Sequence, residues 1–206
     1  MKPPRFPTVF ESLVNGVACQ QLSLVVGLEL LNRLAALCDV RRGTGKGARY
    51  AFPAARDVAR MTPAACRAIG FSRQKARAIL ALAHGVEKGD IDVERLTHDD
   101  DRRVRAQLHR LRGVGRWTAE YVMLRGLGRL NIFPGDDVGA QNSLRRWLGR
   151  KTPPDYAGIS RVVERWQPHA GLVYFHLLLE GLSRAGSLET VGEGHGTGKK
   201  TQESPG

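Results

Sequence analysis

The chain has 206 residues, 42% apolar and 25% charged, which is the composition of a globular protein long enough to bury a core and excludes a disordered chain. Thirty-two Lys and Arg face 20 Asp and Glu, a net charge of +12, and 25 of the cations are arginine, whose planar fork grips phosphate with two parallel hydrogen bonds; an anionic partner, nucleic acid first, is implied. No apolar run reaches the roughly 18 residues of a membrane helix, the start Met1-Lys2-Pro3-Pro4 lacks the apolar stretch of a signal peptide, and three scattered cysteines (Cys19, Cys38 and Cys66) suit neither a disulfide framework nor a metal cluster but small buried hydrophobes in a reducing compartment.

In chain order, Thr8-x-x-Glu11 is a capping box that opens a helix through about Cys19. Ser23 starts a second, with Leu24, Leu28, Leu31 and Leu34 recurring at helical spacing to about Cys38. The basic, glycine-rich stretch Arg41 to Gly47 lacks the spacing of a phosphate-binding Walker loop and reads as a surface connection. Pro53 can open a helix, Thr62-Pro63 caps another that Gly70 ends, and Ser72 begins a longer one with Ala76, Ile79, Leu80 and Ala83 on one face. Asp99 to Asp101 place acids at the start of a helix through Leu111, and the next runs from about Arg116 to Leu127. After an irregular stretch at 128–138, helices are expected over 139–149, 155–166 and 169–184. Nothing alternates long enough to be a sheet, so the fold class expected is all-α. Residues 186–206, rich in Gly, Ser, Thr, Glu and Lys, are expected to be disordered.

The segment Leu108-His109-Arg110-Leu111-Arg112-Gly113-Val114-Gly115-Arg116-Trp117-Thr118-Ala119 is the most informative. Two glycines let the backbone turn sharply between helices and leave amides bare at the second helix's N-terminus, a seat for phosphate. Residues 102–119 hold six arginines and no acid. Arg112, Gly113, Val114, Gly115 and Arg116 are therefore the candidate contacts to a DNA backbone, the plainer alternative being a Gly-terminated helix with a solvated basic face.

About 20 residues on stands Phe133-Pro134-Gly135-Asp136-Asp137. The pair of elements resembles the helix-hairpin-helix and Gly/Pro-rich aspartate loop of a DNA glycosylase superfamily. Phe10 to Val14, Gln20 to Ser23, Gly113 to Leu124 and Glu164-Arg165-Trp166 with Pro168 resemble its bacterial 3-methyladenine glycosylase II branch, over roughly residues 8–182. The resemblance implies an all-α, two-lobed fold, one lobe spanning about 35–135 and the other 1–34 with 136–185, DNA lying across the cleft. It also implies base-excision repair by hydrolysis of the N-glycosidic bond of alkylated purines flipped from duplex DNA.

Breaking that bond develops positive charge on the sugar, which a carboxylate beneath it stabilises while orienting water. By resemblance Asp137 takes this role and Asp136 is an accessory or a helix cap; the plainer alternative for both acids is a helix N-cap, which is compatible with catalysis. Strand-nicking relatives use a lysine amine where this chain has Trp117, and no lysine stands between Lys88 and Lys151, so a monofunctional hydrolase without lyase activity is expected. The four-cysteine iron–sulfur signature is missing as well, and no cofactor is expected to be required. Trp117 and Tyr121, four apart on one helix face, would line the base pocket, unless they are a packed core pair. Leu22 would be the wedge that fills the gap in the duplex, or else a core leucine.

The hairpin of relatives also holds a monovalent cation, Na or K, on main-chain carbonyls, which fall here at His109, Leu111 and Val114. The chain departs from the pattern in three ways. It starts almost at the helical core, without the relative's N-terminal β-rich domain. Val138 follows the aspartate where an aromatic is common, and Leu178 stands in place of a pocket tryptophan. Narrower specificity, or a shift towards ethenoadenine, hypoxanthine or uracil, is the alternative, and a non-catalytic DNA-binding module is another. The partner expected is duplex DNA with a damaged base, bound by a monomer that is cytoplasmic and nucleoid-associated, with no membrane.

Overall fold

The computed structural model describes residues 3–42, 49–184 and 186; the glycine-rich stretch 43–47 and, apart from Gly186, the segment 186–206 expected to be disordered lie outside the described residues. Ten α-helices are described. They are α1 (Val9–Cys19), α2 (Leu24–Cys38), α3 (Ala55–Ala59), α4 (Pro63–Ala68), α5 (Arg73–Glu87), α6 (Asp101–Arg110), α7 (Arg116–Arg125), α8 (Val138–Trp147), α9 (Tyr156–Val163) and α10 (Ala170–Arg184). Turns of 3-10 helix at Glu94–His98 and Glu164–Trp166 and a two-residue antiparallel ladder complete the elements. The ladder pairs β1 (Arg41–Arg42) with β2 (Arg49–Tyr50), a pairing too short for any alternation to announce. The all-α expectation holds.

The starts of the helices follow local chemistry. Thr8, Ser23, Thr62, Ser72, Asp100, Asp137 and Asp155 each cap one, with the side-chain oxygen accepting a backbone N–H three residues on. The face of α2 differs from the leucine spacing. Leu31 and Leu34 are buried with Gly27, Leu30 and Ala35, whereas Leu24 and Leu28 are 47% and 46% exposed. Gly27 sets this rotation, since a Cβ there would stand 2.6 Å from Cys19 Sγ, so the helix approaches α1 through its glycine. Cys66 is buried, but Cys19 and Cys38 are only half-buried.

Two apolar cores form. The first joins α1 to α7 through Leu13, Val14, Val17, Leu34, Ile79, Leu108 and Val122, and the second joins Leu124 and Phe133 to α8, α9 and α10. Packing thus divides the chain near residue 132. Leu13, Val14 and Val17 place α1 in the first core, and α1 packs on α2, α5 and α7. α7 borders both cores, and the loop of residues 128–137 leads from its end into α8.

Candidate active site

Between α6 and α7 the chain turns on Gly113, whose φ of +79° suits glycine and whose missing Cβ leaves room for Ala78, which an added Cβ would approach to 2.7 Å. Gly115 plays a different part from the one its spacing suggests. Its φ of −88° is open to any residue, it is the N-cap of α7 without a side-chain bond, and nothing lies within 4 Å of where a Cβ would be. Among the described residues no side chain caps the α7 N-terminus, as an anion seat requires. Val114 is buried and anchors the hairpin in the first core. Its amide donates to the Leu111 carbonyl at 3.2 Å. Arg112 is exposed and makes no ion pair among the described residues. His109 is exposed in the last turn of α6, where carbonyls lack helical partners.

Asp137 is the N-cap of α8. Its Oδ1 accepts from the Ala140 N–H at 2.8 Å, and its Oδ2 accepts from Trp117 Nε1 and from the Tyr174 hydroxyl, each at 3.0 Å. Asp137 is half-buried, and its bond from Trp117 sets it beside the first turn of α7. A carboxylate has about four acceptor positions and three donors are fixed here, which leaves acceptor capacity for a water or a substrate group. Tyr174 is 1% exposed, and burial and then the charge of Asp137 hold its phenol well above its ordinary pKa, so it remains a donor.

Asp136 is not the cap. It pairs with Arg116 through two hydrogen bonds, to Nε at 2.5 Å and to Nη2 at 2.8 Å. The Arg116 guanidinium also lies 3.8 Å from the centroid of the Tyr156 ring. Two of the five N–H donors of Arg116, expected to grip phosphate, are engaged by Asp136, because the aspartate loop passes directly beside the start of α7, while its side chain stays 49% exposed.

The four expected pocket residues come from three helices, Trp117 and Tyr121 from α7, Val138 from α8 and Leu178 from α10. Trp117 and Tyr121 stack at 5.3 Å with planes 21° apart, both half-buried, and the Tyr121 hydroxyl donates to Asn15 Oδ1 at 2.8 Å, which draws that ring towards α1. Val138 is 67% exposed at the start of α8. Leu178, half-buried on α10, lines a cavity of about 480 Å³ between α8 and α10 with Gly139, Asn142, Ser143 and Arg146. Gly139 lies between the two regions, since a Cβ there would be 3.2 Å from Asp137 Oδ1 and 3.9 Å from Leu178 Cδ2. Leu22 is 40% exposed, directly after Gln21 at φ +55°, which removes the core alternative for this residue.

Several polar groups that the sequence did not reveal join these parts. Gln20 Nε2 donates to the Gly113 carbonyl at 2.8 Å and to Thr118 Oγ1 at 2.7 Å. Lys75 Nζ donates to the carbonyls of Ala18 and Gln20, at 2.8 and 2.7 Å, closing the end of α1 before Leu22. Glu120, 1% exposed, accepts from Arg105, from the Tyr156 hydroxyl and from the Gly135 amide. An acid directly after an acid-free stretch of six arginines was the one available sign of Glu120. Asn15, Tyr156 and Tyr174 carried none.

Comparison with known proteins identifies the family. Residues 14–169 match the family described as HhH-GPD superfamily base excision DNA repair protein. A DNA-3-methyladenine glycosylase of Bacillus subtilis is 31% identical over 176 residues, covering 84% of this chain and 58% of that protein. DNA-3-methyladenine glycosylase 2 of Escherichia coli is 27% identical over 177 residues, 86% of this chain and 59% of its own. The chain therefore spans less than two thirds of the length of these relatives. Among solved structures, the 3-methyladenine DNA-glycosylase from Archaeoglobus fulgidus superposes with a TM-score of 0.76 at 27% identity, over 88% of this chain and 60% of that one.

Proposed function

The chain belongs to the HhH-GPD superfamily of base excision DNA repair proteins, and on that premise we propose that it is a DNA glycosylase hydrolysing the N-glycosidic bond of alkylated purines, of the 3-methyladenine type, in duplex DNA. The observation that carries this reading is Asp137, fixed by Trp117 from the hairpin's second helix and by Tyr174 from α10. A nucleotide turned out of the stack beside the hairpin meets this carboxylate with its sugar. The carboxylate stabilises the oxocarbenium charge as the base leaves, and its free acceptor position orients the water that adds to the anomeric carbon. The relatives' names support the substrate class.

In this reading the bare amides of α7 and the exposed Arg112 hold phosphate, Leu22 enters the duplex, and the face of Trp117 meets the cationic base. Arg116 contributes chiefly by fixing Asp136. A hairpin Na or K ion would be held by the main-chain carbonyls of His109, Leu111 and Val114, supplying positive charge for a phosphate. The Leu111 carbonyl keeps a lone pair beyond its bond from Val114, and the His109 carbonyl lies at a helix end, so the set suits such an ion. With Trp117 where a nucleophilic amine would stand, the enzyme leaves an abasic site without nicking the strand. It acts as a monomer on chromosomal DNA in the cytoplasm.

Mass spectrometry of bases released from methylated duplex DNA tests the proposal. Release of 3-methyladenine is expected, and release of no base would overturn it. The aliphatic Val138 and Leu178 favour a second, narrower reading, in which neutral lesions such as ethenoadenine or hypoxanthine are taken. A panel of single-lesion duplexes separates the two.

A further inference from the structure

Glu120 is a buried carboxylate to which the reaction above gives no part. A charge without water is costly unless its oxygens are fully paired, and Glu120 pairs them in two directions. Oε1 faces Arg105 Nη1 of α6 at 2.7 Å and the Tyr156 hydroxyl of α9 at 2.5 Å. Oε2 accepts the Gly135 amide at 3.1 Å. Arg105 alone would balance the charge; the second oxygen is held against the loop that carries the aspartates.

That loop is tied residue by residue to one helix. Gly135 is bonded by Glu120, Asp136 by Arg116 and Asp137 by Trp117, all three from α7. Tyr156 closes the arrangement from the other side. Its ring lies under the Arg116 guanidinium and against Gly135, where a Cβ would stand 2.8 Å from Cδ2 and Cε2. The hairpin that would hold DNA and the loop that would meet the sugar thus share a single rigid reference.

We propose that Glu120 is a positioning residue for the glycosylase reaction: it anchors Gly135 to α7, with Tyr156 and Arg105 as its supports, and so sets where Asp137 stands relative to DNA held by the hairpin. The inference rests on the functional reading above and adds a residue to it.

Glu120→Gln tests it, because an amide has only one oxygen and cannot accept from Gly135 on one side and from Tyr156 and Arg105 on the other. Single-turnover base release from methylated duplex should fall about 10- to 100-fold, the cost of a small misplacement of a reacting group, while affinity for abasic-site duplex is unchanged. In an Asp137→Asn background the same substitution should cost nothing more, since the two act through one group. The Trp117 indole N–H resonance should move, while those of Trp147 and Trp166 stay. Should Glu120→Gln fail to fold, Tyr156→Phe, which removes one support, should show the same pattern more weakly. An unmoved Trp117 resonance with an unchanged rate overturns the proposal, as does an equal loss in the Asp137→Asn background. Wild-type protein that releases no base overturns the functional reading instead, and the indole resonance still decides whether Glu120 sets the loop.

Discussion

Asp137 holds three donors at once, and one of them can be removed without emptying the space it fills. Tyr174→Phe deletes the hydroxyl that reaches Oδ2 at 3.0 Å. It should lower stability by about 1 kcal/mol and slow base release several-fold, as read from a urea titration and single-turnover rates. Tyr156 offers a pH signature. Burial, and after it the bond to Glu120, pushes its phenol up to about 12 from an ordinary 10.0. The folded protein therefore holds this proton more tightly than the unfolded chain does, so the stabilisation is complete below pH 10 and is lost as pH rises from 10 to about 12. Denaturation midpoints across that range should fall less steeply in Tyr156→Phe than in wild type. At this scale the sequence disclosed the residues that lie close together, Trp117 and Asp137 within two motifs 20 residues apart. It was silent on Tyr156 and Tyr174, which stand 36 and 37 residues from the acids they bond, because nothing local marks a buried hydroxyl's partner.

Among the elements, the hairpin gives a test through its two glycines. Gly113→Ala meets both a positive φ and Ala78, and it should destabilise the protein and weaken DNA binding together. Gly115→Ala meets neither, so it should leave the melting temperature nearly unchanged and weaken binding alone, since its methyl group would stand where phosphate approaches. Calorimetry beside fluorescence anisotropy separates the two. Helix boundaries were legible because side-chain caps announce them, Thr8, Ser23, Thr62 and Ser72 among them. The face that α2 buries was not, since leucine spacing ranks residues by type, whereas the close approach of Gly27 to Cys19 decides the rotation. The role of Gly115 was misread for the same reason, a glycine's φ being set by the turn around it.

For the whole molecule, the net charge of +12 implies binding that weakens steeply with salt. Arg112→Ala should lower the slope of log Kobs against log salt by about 1 and weaken all sequences alike. Arg116→Ala should lower that slope less than Arg112→Ala does and cost catalysis as well, because two of its five donors serve Asp136. The composition implies an anionic partner but not which arginines are free to meet it. The two cores likewise follow from packing rather than chain order, which is how α1 joins α5 and α7. The central claim is that Asp137 performs the chemistry while the hairpin performs the binding. Single-turnover base release by Asp137→Asn on methylated duplex, measured beside its affinity for abasic-site DNA, tests this most directly. The rate should fall by about 100-fold or more with affinity retained; a variant that releases bases as fast as wild type would contradict it.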